Sequence, residues 1–251
     1  MKIGDLTRYC DQLLDITSFS DYCPNGLQVA GRQEIRCLIS GVTASEALLQ
    51  AAVERQADAV LVHHGYFWKG EDPRVIGMKR RRLGLLIAQD INLLAYHLPL
   101  DAHQELGNNA QLALRLGLQI TGTFGNEGPR DIGQYGSLPS PCSGEEFARH
   151  LTAVLGRVPL YIAGGRQPIA TVAWCTGGAQ GYIEAAARLG VDAYITGEVS
   201  EHTVHVAREL GLHFFSAGHH ATERYGVQAL GEHLALEFGL QHEFVDIDNP
   251  V

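Results

Sequence analysis

The stretch that decides the fold is Asp58-Ala-Val-Leu-Val-His-His64, a short apolar run that ends in two histidines. A helix precedes it: Thr43-Ala-Ser-Glu46 has the pattern of a capping box, and the helix is predicted to run to about Gln56. A second helix, over about Met78 to Gln89, leads to the next strand, Asn92 to Leu98. Strands that alternate with helices predict an α/β fold with largely parallel sheets.

The pattern recurs in the second half of the chain. Residues 51–65 (AAVERQADAVLVHHG) resemble residues 185–199 (AAARLGVDAYITGEV), since each is a helix, then Asp-Ala, then an apolar strand with polar residues at its end. NLLAYHLPLDAH and HFFSAGHHATE are the strands that follow in each half. The echo predicts two related α/β units, and the turn-rich stretch from Thr121 to Gly144 indicates a boundary.

The remaining elements are predicted from the same signals. Ser143-Gly-Glu-Glu146 is a second capping-box pattern and opens a helix. A long amphipathic helix is predicted from about Ala221 to Phe238. Apolar runs predict strands over Pro159 to Ala163, Thr171 to Thr176, Asp192 to Thr196, His213 to Ala217 and Glu243 to Ile247.

The composition argues against several classes of protein. The chain has 251 residues and a formal charge of −9, so nucleic-acid binding would need a local basic patch. Lys79-Arg80-Arg81-Arg82 is such a run, but on a helix it is typical of a solvated face. Five cysteines without a C-x-x-C pair disfavour a disulfide framework or a zinc knuckle and fit a reducing compartment. With no apolar stretch near the ~18 residues of a membrane span, we expect a soluble cytoplasmic protein.

Potential metal ligands follow three of the predicted strands. Ligands gather at the carboxyl ends of strands in α/β sheets, and histidine is the commonest metal ligand. None of these side chains is a natural way to end a strand for stability alone. The six residues are His63 and His64 after the first strand, His97 with Asp101 after the next, and His219 with Glu223 at the start of the long helix.

The spacing leaves the ligand arrangement open. Neighbouring side chains on a strand point to opposite sides, so His63 and His64 serve one ion only if the strand has ended, and otherwise serve two. His219 and Glu223 share a helical face only if the helix has formed by then. With His97 set aside, the remaining three imidazoles and two carboxylates suit two ions of Zn, Mn, Fe or Ni better than Mg or Ca, and leave coordination positions open for water.

Three further features have a functional and a structural interpretation. Gly177-Gly-Ala-Gln-Gly181 lies between a strand and a helix, where backbone N–H groups can bind an anion, but its spacing is more typical of a tight turn. Glu198 and His202 mirror the position of His63 in the second half and are candidates to line the same cavity. His97 is the candidate general acid or base, or a residue that orients a ligand; it is equally well explained as packing at a strand end.

Five segments in order resemble the YbgI-like proteins, which are labelled homologues of type 2 GTP cyclohydrolase I and include the eukaryotic Ngg-interacting factors. The resemblance covers nearly the whole chain. The segments are Asn25 to Val29, Val62 to Gly65, Ala95 to Asp101, Asp192 to Glu198 and Ala217 to Glu223.

The resemblance implies two divalent ions per subunit, bound by His63, His64, Asp101, His219 and Glu223. It also implies a toroidal homohexamer, with metal sites facing an internal cavity, built from two α/β domains. We place the first domain, which carries the ligands, at 1–125 with 212–251, and a second, smaller one at 126–211.

Two functions follow from such a site. The first is a metal-dependent hydrolase that acts on a small molecule such as a nucleotide, with His97 as its candidate catalytic residue. The second is a non-enzymatic metal-binding protein, namely a metallochaperone, sensor or assembly scaffold. A third interpretation, a partner-binding regulator, draws only on the name of the eukaryotic relatives. The ligand types alone identify neither the metal nor the substrate.

Overall fold

The computed structural model describes residues 1–127, 130–165 and 168–251. Its α-helices are α1 Ile3–Leu13, α2 Glu46–Glu54, α3 Gly77–Ala88, α4 Leu98–Ala102, α5 Asn108–Leu116, α6 Gly144–Leu155, α7 Ile183–Arg188, α8 Glu201–Glu209 and α9 His219–Phe238. Its strands are β1 Gly26–Val29, β2 Cys37–Thr43, β3 Ala59–His64, β4 Asn92–Ala95, β5 Gln119–Glu127, β6 Arg130–Cys142, β7 Leu160–Ile162, β8 Ile169–Trp174, β9 Ala193–Thr196, β10 His213–Ser216 and β11 Gln241–Phe244.

These elements form two compact units, each built on one sheet. The first comprises Met1–Leu100 with Gly226–Asp248, and the second Asp101–Tyr225 with Asn249–Val251. The predicted bounds, 1–125 with 212–251 and 126–211, differ from these. Strands β5 and β10 explain the difference, because they hydrogen-bond to β6 and β9 and so belong to the sheet of the second unit.

The first unit contains a five-stranded sheet in the order β1-β4-β3-β2-β11. Strand β1 is antiparallel to its neighbour, and the other four strands are mutually parallel. Helices α2 and α3 cover one face, where Leu48 and Leu86 pack with Val60 and Val62. The prediction of a mixed, mostly parallel sheet is confirmed for this unit.

The second unit contains a six-stranded sheet in the order β5-β6-β8-β9-β10-β7. Phe147 and Leu151 of α6 pack with Trp174 and Phe215 in its core. The sheet is mixed, as predicted, but β8–β9 and β9–β10 are its two parallel pairs, and its other three pairs are antiparallel. The prediction of a mostly parallel sheet is therefore wrong for this unit, because a long hairpin and a short edge strand add antiparallel pairs.

The two sheets repeat one topology. In the first, an antiparallel edge strand, β1, lies beside β4, and then come β3 and β2 in parallel. In the second, β7 lies in the same way beside β10, followed by β9 and β8. The sequence echo predicts two such units, and the shared strand order confirms them.

The turn-rich stretch from Thr121 to Gly144 is a hairpin and not a boundary. Two of its glycines lie opposite aromatic residues: Gly122 pairs with Tyr135, and Gly133 pairs with Phe124. A Cβ on either glycine would meet the facing ring, so the rings fill the space that a side chain would take. Gly128 and Pro129 of this stretch lie outside the described residues.

The predicted capping boxes have different outcomes. Ser143 and Glu146 form the predicted box at the start of α6. At the start of α2 the cap is Ser45, whose side chain accepts a hydrogen bond from the Leu48 N–H. Thr43 cannot cap this helix because it is still the last residue of β2. No helix in the described part of the chain combines the length and apolar character that a membrane span requires.

Candidate metal centre

His63 and His64 end the buried strand β3, as predicted. Val60 to Val62 are fully buried in the sheet and carry His63 into the interior, where it is inaccessible to solvent. His63 Nδ1 lies 2.9 Å from the Tyr96 carbonyl oxygen. A carbonyl only accepts hydrogen bonds, so Nδ1 carries a proton, and a neutral ring then has its lone pair on Nε2.

His97 lies in a turn and not at a strand end. Strand β4 ends at Ala95, and α4 begins at Leu98. The loop before β1 holds His97: its backbone N–H donates to Asn25 Oδ1, and Nδ1 lies 2.7 Å from Asp21 Oδ1. Because a carboxylate accepts, this contact also leaves the lone pair of a neutral ring on Nε2.

Asp21 is a residue beside the candidate site that sequence reasoning missed. Its carboxylate also accepts from Asn25 Nδ2 and from the N–H groups of Tyr22 and Leu98. Burial tends to raise the pKa of Asp21, but the hydrogen bond and charge of His97 and the other donors hold it below its ordinary value. Asp21 lies in the polar segment Ser20-Asp-Tyr-Cys-Pro-Asn25. From the sequence alone this segment is typical of a turn, because aspartate, proline and asparagine are common turn residues.

The imidazoles of His63, His64 and His97 form a cluster within the first unit. The ring centroids are 4.5 Å apart for His63 and His64, 5.1 Å for His63 and His97, and 5.7 Å for His64 and His97. One ring nitrogen of each lies within 4.8 Å of the other two, which is a spacing that one metal ion can bridge.

A second group in the first unit, Asp21 with Cys23 and His97, also has metal-like spacing. Burial, with the charge of Asp21, raises the pKa of the Cys23 thiol to about 12. Asp21 already accepts several hydrogen bonds, so we assign it to holding His97.

In the second unit, Asp101 is a buried carboxylate on α4. Its Oδ1 accepts from Asn108 Nδ2 at 2.8 Å and from Thr176 Oγ1 at 3.3 Å. Asn109 fixes this region, since its side chain donates to the Asp101 carbonyl and its Oδ1 accepts from the Thr176 N–H. The neutral donors Asn108 and Thr176 stabilise the carboxylate without neutralising its charge.

His219 and Glu223 lie one helical turn apart, because α9 begins at His219, two residues earlier than predicted. His219 Nε2 is 3.2 Å from Glu223 Oε2, and His219 Nδ1 is 2.7 Å from Glu198 Oε1. Burial lowers the pKa of His219, but hydrogen bonds and charge from Glu223 and Glu198 outweigh it and raise the pKa to about 9. The sequence predicts that Glu198 lies near the ligands, and its contact with His219 agrees with that prediction.

The Gly177 turn closes against these ligands. Gly177 has a φ of +68°, and a Cβ there would overlap Glu223 Oε1 and approach His219 Nε2. Its N–H donates to Thr222 Oγ1, and its carbonyl accepts from Gly197 N–H. Residues 177–181 thus form a tight turn, which agrees with the structural interpretation of this segment. The Gly177 N–H already donates a hydrogen bond within the protein.

Two other candidates do not join a cluster in the described residues. His202 is exposed on α8 and belongs to none of the potential metal groups found there. The basic run on α3 is partly neutralised, because Lys79 pairs with Glu71 and Arg81 with Glu46. The solvated-face interpretation of that run therefore fits its contacts.

The predicted ligands are divided between the two units. His63 and His64 belong to the first, and Asp101, His219 and Glu223 belong to the second. His63 and His64 end β3, Asp101 lies on α4 after β4, and His219 and Glu223 follow β10. Their donor atoms are imidazole nitrogens and carboxylate oxygens. This set fits borderline divalent ions such as Zn, Mn, Fe or Ni.

The chain thus contains two α/β units of one topology, with imidazoles and carboxylates near the ends of their strands. This combination indicates a class of α/β proteins with potential metal sites. The comparison with known families is specific: the chain belongs to the Duf34/NIF3 (NGG1p interacting factor 3) family, whose sequence profile matches residues 1–250.

Curated relatives of similar length carry one shared name. The chain is 59% identical over 250 residues to the "GTP cyclohydrolase 1 type 2 homolog" of Pseudomonas aeruginosa, covering 100% of this chain and 99% of the relative. It is 54% identical over 251 residues to the protein of that name from Escherichia coli K12, covering both in full.

Solved structures support the same assignment. The protein ybgI, described as of unknown function, has a TM-score of 0.96 and 53% identity, with both chains covered in full. The protein TTHA1606 from Thermus thermophilus has a TM-score of 0.91 and 37% identity, also over both full chains.

Proposed function

We propose that the protein binds two divalent metal ions with His63, His64, Asp101, His219 and Glu223. The observation that carries the proposal is that the first unit places two imidazoles at the end of β3, and the second unit places an imidazole and two carboxylates, all buried or half-buried, on α4 and α9. Imidazole nitrogens and carboxylate oxygens together form a donor set that borderline divalent cations bind.

The chain order supports ligands from both units. Helix α4 runs without interruption from Leu98 to Ala102, so Asp101 follows His97 by about one helical turn. Helix α9 carries His219 and Glu223 at its start, and its later residues belong to the first unit. Asp101 and Glu223 are the candidates to bridge two ions, because a carboxylate offers two oxygens and a negative charge.

We further propose that the bound ions serve hydrolysis of a small substrate, for which the nucleotide-related name of the relatives suggests a nucleotide. Divalent ions in such a site lower the pKa of water and stabilise negative charge that develops on the substrate. His97 is the candidate to hold or move a proton at Nε2, because Asp21 fixes the proton of the other nitrogen. Trp68 lies beside His97, with their ring centroids 5.0 Å apart.

One experiment separates the hydrolase from a protein that only binds metal. Protein loaded with Zn, Mn, Fe or Ni is incubated with GTP, other nucleotides, phosphoesters and peptides, and the products are measured. We expect turnover that falls at least about 100-fold in His63→Ala and persists in His205→Ala, whose exposed imidazole pairs with Glu201. Metal binding without turnover of any substrate would favour a chaperone, sensor or scaffold.

The resemblance also supports a homohexamer in the cytoplasm as part of the proposal. Light scattering coupled to size-exclusion chromatography measures the mass of the particle. We expect six chains of 27.3 kDa each. A monomer or dimer across a range of concentrations would contradict the hexamer and leave the metal proposal intact.

A further inference from the structure

We propose that Tyr22, Phe67 and Trp68, all in the first unit, form a binding site for a planar heteroaromatic ring such as a purine base. The inference rests on the proposed function for its setting, because it names the class of substrate that the site takes. It assigns these three aromatic side chains to recognition of the ring and none of them to the metal ions.

Two exposed aromatic side chains lie on loops that are joined to each other. Tyr22 is 48% exposed and Phe67 is 37% exposed, whereas every other phenylalanine, tyrosine and tryptophan of the described residues is buried or half-buried. The Lys69 N–H donates to the Tyr22 carbonyl oxygen at 2.6 Å and so joins the two loops. Aromatic rings carry a large apolar surface, and exposed rings that come together in this way indicate a surface that binds a partner.

The backbone of Phe67 is held in a conformation that bulky residues rarely adopt. Its φ is +65°, in the left-handed region that favours glycine. The Phe67 N–H donates to Glu71 Oε1 at 3.0 Å, and Glu71 forms an ion pair with Lys79. Lys79 Nζ in turn lies 5.1 Å from the centroid of the Phe67 ring. Strained residues that their surroundings hold in place cluster at ligand sites, and ligand binding explains why an exposed ring is held in this way.

Trp68 and Tyr22 both contact the ring of His97. Their ring centroids lie 5.0 and 6.4 Å from that of His97, each in an edge-to-face orientation. The Trp68 ring also lies 6.0 Å from that of His64, and its Nε1 donates to the Gly65 carbonyl oxygen at 3.2 Å, which orients the indole. A substrate ring that stacks on Trp68 therefore has its substituents beside the imidazoles of the proposed function.

The chemistry of these side chains fits a planar heteroaromatic ring. Small-molecule sites combine aromatic surface with a few polar groups that fix the orientation of the ligand, and here the polar groups are the neighbouring imidazoles. Aromatic rings stack in offset or edge-to-face geometry, which an aliphatic ligand cannot use. Removal of one protein ring that stacks on a base weakens binding by about 5- to 150-fold. Ring nitrogens and carbonyl groups of the ligand would hydrogen-bond with the imidazoles.

The test uses metal-free protein and guanosine, so that binding of the ring is measured without the ions. Equilibrium dialysis with labelled guanosine gives the dissociation constant. We expect saturable binding that an excess of ribose 5-phosphate, which lacks the base, does not displace.

Substitutions of the rings then test each contribution. Trp68→Ala and Tyr22→Ala should each raise the dissociation constant by about 5- to 150-fold, whereas Trp68→Phe and Tyr22→Phe should retain most of the affinity. Ile87→Ala, which removes an exposed apolar side chain from α3 of the same unit, is the control and should leave the affinity unchanged. Equal affinities of the unaltered protein and both alanine variants would overturn the proposal.

A glycine variant separates ligand binding from folding. Phe67→Gly removes the ring, and because glycine adopts a positive φ without strain, the variant should resist urea no less than the unaltered protein. We expect it to bind guanosine about 5- to 150-fold more weakly. A loss of stability with unchanged affinity would assign Phe67 to folding and remove it from the site. Circular dichroism establishes that each variant is folded.

Tryptophan fluorescence locates the bound ring. The chain has two tryptophans, Trp68 and Trp174, and Trp174 is fully buried. Guanosine should quench the emission of the unaltered protein, and it should leave the emission of Trp68→Phe unchanged. Quenching that persists in Trp68→Phe would place the bound ring elsewhere and overturn the proposal.

The outcomes distinguish the ring site from the proposed function. If guanosine, adenosine and uridine all fail to bind to a protein that binds two ions and hydrolyses another substrate, the ring site is wrong and the proposed function stands. If guanosine binding depends on Trp68 but the protein neither binds metal nor shows turnover, the ring site stands and the proposed function falls. If no nucleoside binds and Tyr22→Ala or Trp68→Ala changes the particle mass in light scattering, the rings are an interface between copies of the chain, and the ring site is wrong.

Discussion

Asp58 in the first unit and Asp192 in the second accept equivalent pairs of hydrogen bonds. Asp58 Oδ2 accepts from the N–H groups of Arg36 and Cys37, at 2.7 and 2.9 Å, where β2 begins. Asp192 Oδ2 accepts from Ala170 and Thr171, at 2.9 and 2.8 Å, at the start of β8. Each aspartate thus ties the start of one parallel strand to the next, and this is the physical reason for Asp-Ala in both halves.

Acid should destabilise the protein in part through these two groups. Burial tends to raise the pKa of each, but the N–H donors, with Arg32 at Asp58 and the Thr171 hydroxyl at Asp192, outweigh burial and lower it. The folded-state pKa therefore lies below the unfolded value of about 3.9. The stabilisation is present above about pH 4 and is lost as the pH falls through the folded-state pKa.

The measurement is the free energy of unfolding by urea between pH 7 and pH 3. An Asp58→Asn/Asp192→Asn double variant should be less stable at pH 7, by about 1–3 kcal/mol per site, and should lose less stability on acidification. Asp5→Asn, a substitution at an exposed ion pair on α1, is the control and should keep the original slope. An unchanged slope in the double variant would show that other carboxylates govern acid unfolding.

Gly177→Ala should weaken metal binding, because its Cβ would overlap the Glu223 carboxylate. Gly190→Ala is the matched control: Gly190 has a similar φ, +74°, but a Cβ there meets open space. Both variants carry the backbone strain of a left-handed alanine, about 1 kcal/mol. We expect only Gly177→Ala to lower the affinity for Zn²⁺, by roughly 10-fold or more. Equal affinities in calorimetric titrations would mean that Glu223 is no ligand or that the turn moves aside.

Glu198→Gln should reduce metal affinity by about 10- to 100-fold, because Glu198 orients His219 through Nδ1. The control is Glu201→Gln, which removes an exposed carboxylate that contacts His205 on the surface of α8. Competition with a chelator of known affinity measures both variants. Wild-type affinity in Glu198→Gln would leave the carboxylate with a purely structural role, and a shift in melting temperature without a shift in affinity would support that role.

Metal should also stabilise the fold. Ligand at about 100 times its dissociation constant adds about 2.7 kcal/mol, which for a chain of this size is a rise in melting temperature of roughly 5–10 °C. Zn²⁺ added to protein treated with a chelator should produce this rise. His63→Ala should reduce it, whereas His205→Ala should retain it. A rise of equal size in both variants would indicate binding elsewhere on the surface.

The sequence predicts those parts of the fold that depend on local interactions. Ser143 caps α6 with Glu146 because both partners lie within four residues, and the run from Ala59 to His64 is apolar enough to indicate a buried strand. The type and order of elements follow from such signals. The exact ends do not: the apolar run to Leu98 predicts a strand that includes His97, but the chain leaves the sheet after Ala95 to form α4.

What the sequence could not predict depends on contacts between distant residues. From the sequence alone, Gly122 and Gly133 are typical of turns. Their role in the sheet becomes evident only when the fold places the rings of Tyr135 and Phe124 opposite them. Asp21 resembles an ordinary turn residue until His97, 76 positions away, meets its carboxylate. The division of the ligand set between two units has the same origin, since it depends on which sheet each strand joins.

The order of the strands has a consequence for synthesis on the ribosome. Strand β11 pairs in parallel with β2, although some 200 residues separate them. The second unit is encoded almost entirely between the two parts of the first, so nearly all of it emerges before β11 does. During translation the edge of β2 therefore remains exposed, and accessible to chaperones or to neighbouring nascent chains, until β11 is synthesised and pairs with it.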